Sequence, residues 1–143
     1  QYLKIKNEVS AGISDVIETA SFINGPAVKN FSNHLSEYLG VKHVIPTGNG
    51  TDALQVALMA LDLQPGDEVI TSDFTFIATV EVIALLKLKP VLVDVHPDYF
   101  TLLPEAVEKA ITPKTKAIIP VHLFGQAAPM EELLDIAKRH NIA

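Results

Sequence analysis

From residue 41 onward, short apolar runs alternate with stretches of helical pattern, and this alternation restricts the possible folds more than any other feature. Val44-Ile45, Glu68 to Thr71, Pro90 to Val95 and Ala117 to Val121 read as strands. Thr51 to Leu61, Thr75 to Leu86, Pro104 to Ile111 and Pro129 to His140 read as helices, two of them opened by proline. A brief apolar run bounded by turn residues suits a strand covered on both faces, whereas apolar residues three and four apart bury one stripe of a helix. Strands linked through helices by short loops predict a three-layer α/β/α domain with a mostly parallel sheet. The helix from Thr75 is apolar nearly all round and is expected to be deeply buried.

The first forty residues follow another rule. Ile5, Val9, Ile13, Val16 and Ile17 fall on one helical face, Asn24-Gly25-Pro26 breaks the chain, and Val28, Phe31, Leu35, Tyr38 and Leu39 form a second stripe. Pro26 suits a first helical turn, and Gly40 suits a C-terminal cap. Two parts are therefore expected: an N-terminal helical segment, 1–40, and an α/β part, 41–143. At the far end, a crossover helix normally feeds a returning strand. Asn141-Ile142-Ala143 begins something extended, and the chain is expected to stop inside a larger domain, as it is expected to start inside one at Gln1.

Composition narrows the function. The net charge is −6, with charges scattered and no basic run, which argues against nucleic acid as the main partner. No segment approaches ~20 continuous apolar residues, so no membrane span is expected. Cysteine is absent, so there is neither a disulfide framework nor a thiolate metal site; a reducing cytoplasm fits best. His34, His43, His96 and His140 lack a carboxylate or second histidine at ligand spacing, and no metal site is expected.

The strongest chemical signal is Thr47-Gly48-Asn49-Gly50-Thr51-Asp52-Ala53-Leu54, a glycine turn between a strand and a helix. The N–H groups at a helix start, with the positive end of the macrodipole, favour a bound anion, and Thr51 adds a hydroxyl donor. The same letters also describe an ordinary glycine turn with a Thr or Asp cap. No lysine follows as in a Walker A loop, and Val69-Ile70-Thr71 ends without the carboxylate of a dinucleotide site. Past the next strand, Phe74 and Phe76 lie at a carboxyl strand end, where α/β sheets bind ligands. Either ring could serve a planar ligand as a flat face or simply fill the core. His122 and Asp94 also end strands; a hydrogen-bonded structural histidine and a loop cap are the expectations for them.

In order, Phe22-Ile23-Asn24-Gly25-Pro26, Gly50-Thr51-Asp52-Ala53-Leu54, Pro65 to Ile70, Phe74 to Thr79, Pro90 to Val95 and Ile111 to Gln126 resemble the DegT-type nucleotide-sugar aminotransferases along essentially the whole chain. The resemblance implies part of the large domain of a fold-type-I transferase and a pyridoxal 5′-phosphate cofactor. Gly50, Thr51 and Asp52 would hold its phosphate through backbone amides and the Thr51 hydroxyl, and Phe76 would stack on its ring, with Phe74 packing. Asn24, Gly25 and Pro26 would approach a nucleotide-sugar. The implied substrates are a nucleotide-linked keto-sugar and an amino-acid donor such as glutamate, handled by a cytoplasmic homodimer. Ser72-Asp73 and His96 depart from the family pattern, which touches loop shape or substrate rather than cofactor class.

The resemblance also implies a Schiff-base lysine and an aspartate beside the pyridine nitrogen. Lys42, Lys87, Lys89, Lys114 and Lys116 flank strands or occupy turns, so no catalytic residue is assigned and the chain alone is expected to be inactive. Two other readings stand beside this one: a non-catalytic homologue that binds the cofactor or a sugar, and a doubly wound nucleotide-binding domain.

Overall fold

The computed structural model describes residues 1–143 and divides into two compact units, Gln1–Thr47 and Gly48–Ala143. The first unit holds α1 (Tyr2–Glu18) and α2 (Pro26–Leu39). Pro26 occupies the first turn of α2, and Gly40 caps its end in the left-handed region, with its N–H and that of Val41 returning to Glu37 and Ser36. Neither helix has a fully buried residue within this unit. Val44-Ile45, expected as a strand, forms no strand: a strand needs a neighbouring ladder, and β propensity alone supplies none.

The second unit contains α3 (Gly50–Ala60), β1 (Glu68–Ser72), α4 (Ala78–Leu85), β2 (Lys89–Val93), α5 (Pro104–Ala110), β3 (Thr115–Ile119) and α6 (Met130–His140). The three strands are parallel in the order β2-β1-β3. After α6, Ala143 lies beside β3: its N–H donates to Lys116 O and its carbonyl accepts from Ile118 N, the ladder pattern expected for a chain returning from a crossover helix.

Side-chain alternation on these strands explains the layers. Val69, Ala117 and Ile119 face α3 and α4, where Leu58, Val82, Ile83 and Leu88 complete one core. Ile70, Val93 and Ile118 face the opposite way, against Leu102, Val107 of α5, and Leu133 and Ile136 of α6. The domain is thus three-layered, α/β/α. β1→β2 steps one way along the sheet and β2→β3 steps back across β1. Right-handed crossovers then require α4 and α5 on opposite faces, as found.

The expectation that the helix from Thr75 is buried all round is corrected. The helix begins at Ala78, and only Ala78, Thr79, Val82 and Ile83 are buried; Leu85 on the same helix is exposed. Its start is displaced because Ser72 Oγ accepts the Phe74 N–H at 2.9 Å, which turns residues 73–75 instead of winding them.

The amino edge of the sheet is tied by one buried carboxylate. Glu68 Oε2 accepts the Thr112 hydroxyl at 2.5 Å, and Oε1 pairs with Lys89 Nζ at 2.9 Å. The Thr112 hydrogen bond, then that to Lys89, holds the Glu68 carboxyl below its ordinary range against the opposing effect of burial.

Candidate functional site

α4 leaves β1 on one face of the sheet and α6 leaves β3 on the other, although β1 and β3 are neighbours. The crevice between their carboxyl ends is therefore a topological switch point, where open α/β sheets take ligands. Thr71 Oγ1 donates to Ile119 O at 3.0 Å and pins the two strands together there. The loop after β1 carries Phe74 and Phe76; the loop after β3 carries His122 and Phe124.

Phe76 stands 73% exposed, while its carbonyl accepts the Thr79 N–H and so helps start α4. The ring is thus presented to solvent from a backbone fixed in a helix start. Phe74 packs on Phe100, with ring centroids 5.7 Å apart.

Phe124 was not singled out from the sequence. It is 81% exposed, meets the Phe100 ring edge-on at 6.2 Å and has φ 55°, followed by Gly125 at φ 83°. A left-handed Phe is uncommon, and only the neighbouring glycine hinted at a turn there. His122 Nδ1 accepts the Ala128 N–H at 3.0 Å, and Asp94 Oδ1 accepts the Val95 N–H at 2.8 Å, the structural roles expected of both.

The start of α3 is built around a residue that sequence reasoning passed over as a cap. Asn49, extended at φ −164°, accepts the Asp52 N–H on its side-chain oxygen at 2.9 Å and donates from Nδ2 to Asp52 Oδ2 at 3.0 Å. The spacing is that of a capping box, Asn at the cap and an acid three residues on, and was readable from the sequence. The reciprocal pair leaves the N–H groups of Gly50 and Thr51 without a partner in the chain. It also commits the Asp52 N–H, so the donors on offer at the helix start are the Gly50 and Thr51 amides and the Thr51 hydroxyl. Gly48 keeps the turn tight: a Cβ there would lie 3.1 Å from Asp52 Oδ2.

Asn24, Gly25 and Pro26 sit in the N-terminal unit, at the start of α2. Asn24 is left-handed at φ 48°, and a Cβ on Gly25 would meet Ser21 O at 2.6 Å, so the glycine has a purely structural reason to be there. No group of three or more His, Asp or Glu side chains is arranged to hold a metal, and no helix is long and apolar enough to cross a membrane.

A three-layer α/β domain with a crevice at a topological switch point is of a broad ligand-binding class; unpartnered amides at a helix start can accept an anion, and an exposed aromatic offers a flat face. Comparison with known proteins narrows the class. The profile of the DegT/DnrJ/EryC1/StrS aminotransferase family matches residues 3–143, and the chain belongs to that family. It is 47% identical over 99% of its length to UDP-2-acetamido-2-deoxy-3-oxo-D-glucuronate aminotransferase of Pseudomonas aeruginosa, covering 40% of that protein. It is 48% identical, again over 99% of its length, to the pleiotropic regulatory protein of Geobacillus stearothermophilus, covering 38%. Its fold matches the crystal structure of NtdA from Bacillus subtilis with bound cofactor PMP at a TM-score of 0.94 and 38% identity, over 97% of this chain and 32% of that one. The chain therefore spans about two fifths of the length of the curated relatives it matches.

Proposed function

We propose that the chain is the cofactor-binding part of a pyridoxal-phosphate-dependent aminotransferase that acts on a nucleotide-linked keto-sugar, with glutamate as amino donor. The observation that carries this reading is the pair of unpartnered amides at Gly50 and Thr51, left free of the helix and of the Asn49 cap. Two N–H donors, a hydroxyl and the positive end of α3 suit a phosphate monoester, and an exposed Phe76 suits a pyridine ring. When bound, such a cofactor supplies an electron sink for the bonds broken and made at the amino-bearing carbon.

The chain's own residues bind and orient. The amides of Gly50 and Thr51 and the Thr51 hydroxyl fix the phosphate, Asp52 stiffens the cradle through Asn49, and Phe76 covers one face of the ring. Asn24, Gly25 and Pro26 contribute to the sugar-nucleotide side. In this reading residues 1–40 are an N-terminal helical segment and 41–143 the first part of the large domain, within a cytoplasmic homodimer.

The lysines argue that this chain alone does not turn over. Lys87, Lys89, Lys114 and Lys116 cluster where β2 and β3 begin, the edge of the sheet opposite Phe76; Lys89 is paired with Glu68, and Lys116 Nζ donates to Pro113 O. The similarity to a protein named as a regulator favours one second reading, a homologue that binds without catalysis. Transfer of ¹⁵N from labelled glutamate to a UDP-linked 3-keto-sugar by the parent polypeptide, read by mass spectrometry, separates the two. Incorporation of ¹⁵N is expected; cofactor binding with no incorporation would leave the regulatory reading.

A further inference from the structure

Of the chain's six asparagines, only Asn24 and Asn49 are followed by glycine. In that dipeptide the asparagine side chain is most open to attack by the next backbone nitrogen, because glycine has no Cβ to hinder the approach. Asn49–Gly50 is also the entrance to α3, so a change there falls on the residues that present the Gly50 and Thr51 amides.

The reacting groups are accessible. Asn49 and Gly50 are both exposed, and nothing lies within 4 Å of a Cβ built on Gly50, so a ring can close there without meeting the rest of the chain. The Gly50 N–H has no partner in the chain, so no hydrogen bond holds the nucleophile back. The cap opposes the reaction: Asn49 Oδ1 accepts the Asp52 N–H at 2.9 Å and Nδ2 donates to Asp52 Oδ2 at 3.0 Å, and both bonds must release before the side chain turns to Gly50. A cap of this kind is favoured over the open form about 2- to 30-fold, which slows the reaction without stopping it.

We infer that Asn49–Gly50 is a self-modification site that retires the α3 cradle when no ligand occupies it. The Gly50 nitrogen gives its proton to solvent and bonds to Asn49 Cγ, while Nδ2 takes up a proton and leaves as ammonia, closing a succinimide. Water then opens the ring at Cγ to leave an aspartate, or at the main-chain carbonyl to leave an isoaspartate, whose backbone is longer by one methylene. One water is consumed, one ammonia is released, and nothing is oxidised. The aspartate sets a carboxylate where Nδ2 lay, beside Asp52 Oδ2, and should weaken a phosphate at the helix start about tenfold or more. The isoaspartate displaces the Gly50 and Thr51 amides themselves. A phosphate hydrogen-bonded to the Gly50 N–H occupies the attacking nitrogen, so ligand and modification exclude one another. That protection rests on the proposed cofactor reading; the modification does not.

The test incubates the 143-residue chain at mildly alkaline pH alone, with pyridoxamine 5′-phosphate, or with pyridoxamine. Each asparagine is followed by peptide mapping, with isoaspartate resolved by electron-transfer fragmentation. Asn24 is exposed and caps nothing, so it should convert first, and Asn49 about 2- to 30-fold more slowly, with the other four asparagines persisting. The phosphate ester should slow Asn49 and leave Asn24 unchanged, and pyridoxamine should slow neither. Gly50→Ala, for which there is space, should slow conversion at Asn49 alone. Asn49 persisting as long as Asn7 or Asn141 while Asn24 converts would overturn the inference. So would an Asn49→Asp variant of unchanged Tm that bound pyridoxamine 5′-phosphate as tightly as the parent. Conversion of Asn49 at one rate with and without the phosphate ester would overturn the protection, and the cradle reading with it, while the modification stood.

Discussion

Gly50→Pro removes one donor of the proposed cradle while leaving its scaffold in place. Gly50 is the first residue of α3, where proline is tolerated because its N–H has no helical acceptor to lose. Asn49 before it is already extended, at φ −164° and ψ 176°, the conformation a residue preceding proline prefers. Nothing lies within 4 Å of a Cβ built at Gly50, so the ring has space, and the Asn49–Asp52 cap does not involve the Gly50 N–H. The fold should therefore hold, or gain about 0.4–1 kcal/mol from the stiffer unfolded chain. A hydrogen bond to a charged group contributes about 1.5–3 kcal/mol, and losing one corresponds to about 10- to 150-fold weaker phosphate binding. Calorimetric titration with pyridoxamine 5′-phosphate, which forms no imine with lysine, reads the affinity; thermal unfolding reads the fold. If the variant bound the phosphate ligand as tightly as the parent with an unchanged Tm, the anion would not be held at the start of α3.

Two further expectations concern what supports the site. Glu68 and Glu108 both have lowered pKa values, Glu68 through Thr112 and Lys89, Glu108 down to about 2 through Arg139 and then His140. A carboxyl depressed in the folded state stabilises above its unfolded value and loses that stability as pH falls through the folded one, so denaturant melts should weaken from about pH 4.5 toward about pH 2. Salt at about 1 M should erode the exposed Glu108–Arg139 contribution and spare that of the buried Glu68, so Glu68→Gln should reduce the acid dependence that remains in high salt. In the core, Ile83→Ala should cost about 2–5 kcal/mol, while Leu85→Ala, two positions along α4, should cost about 0.5 kcal/mol or less in the same urea melts, because only the first is buried.

The alternation of strand and helix was legible because each element is encoded locally. Pro26 and Pro104 mark helix starts, Gly40 marks a stop, and apolar spacing gives α3, α5 and α6 their buried stripes. What failed was non-local or dihedral. Val44-Ile45 has strand composition but no strand to pair with, and no single segment reveals whether a ladder will form beside it. The late start of α4 depends on the Ser72 hydroxyl competing for the Phe74 amide, a side-chain choice invisible to periodicity. Phe124 was missed because a left-handed phenylalanine leaves little trace in the sequence beyond the glycine after it. The Asn49 cap, by contrast, was present in the residue pattern and was overlooked in favour of Thr51 and Asp52.

The most direct test compares pyridoxamine 5′-phosphate with pyridoxamine in ¹⁵N–¹H and aromatic NMR spectra of the chain. The phosphate ester should shift the Gly50 and Thr51 amides, leave the Asp52 amide on its Asn49 acceptor, and move the Phe76 ring protons, while pyridoxamine leaves the two amides unmoved. Phosphate-dependent shifts that bypass Gly50 and Thr51, or a Phe76 ring indifferent to the ligand, would contradict the cradle and the cofactor role drawn from it.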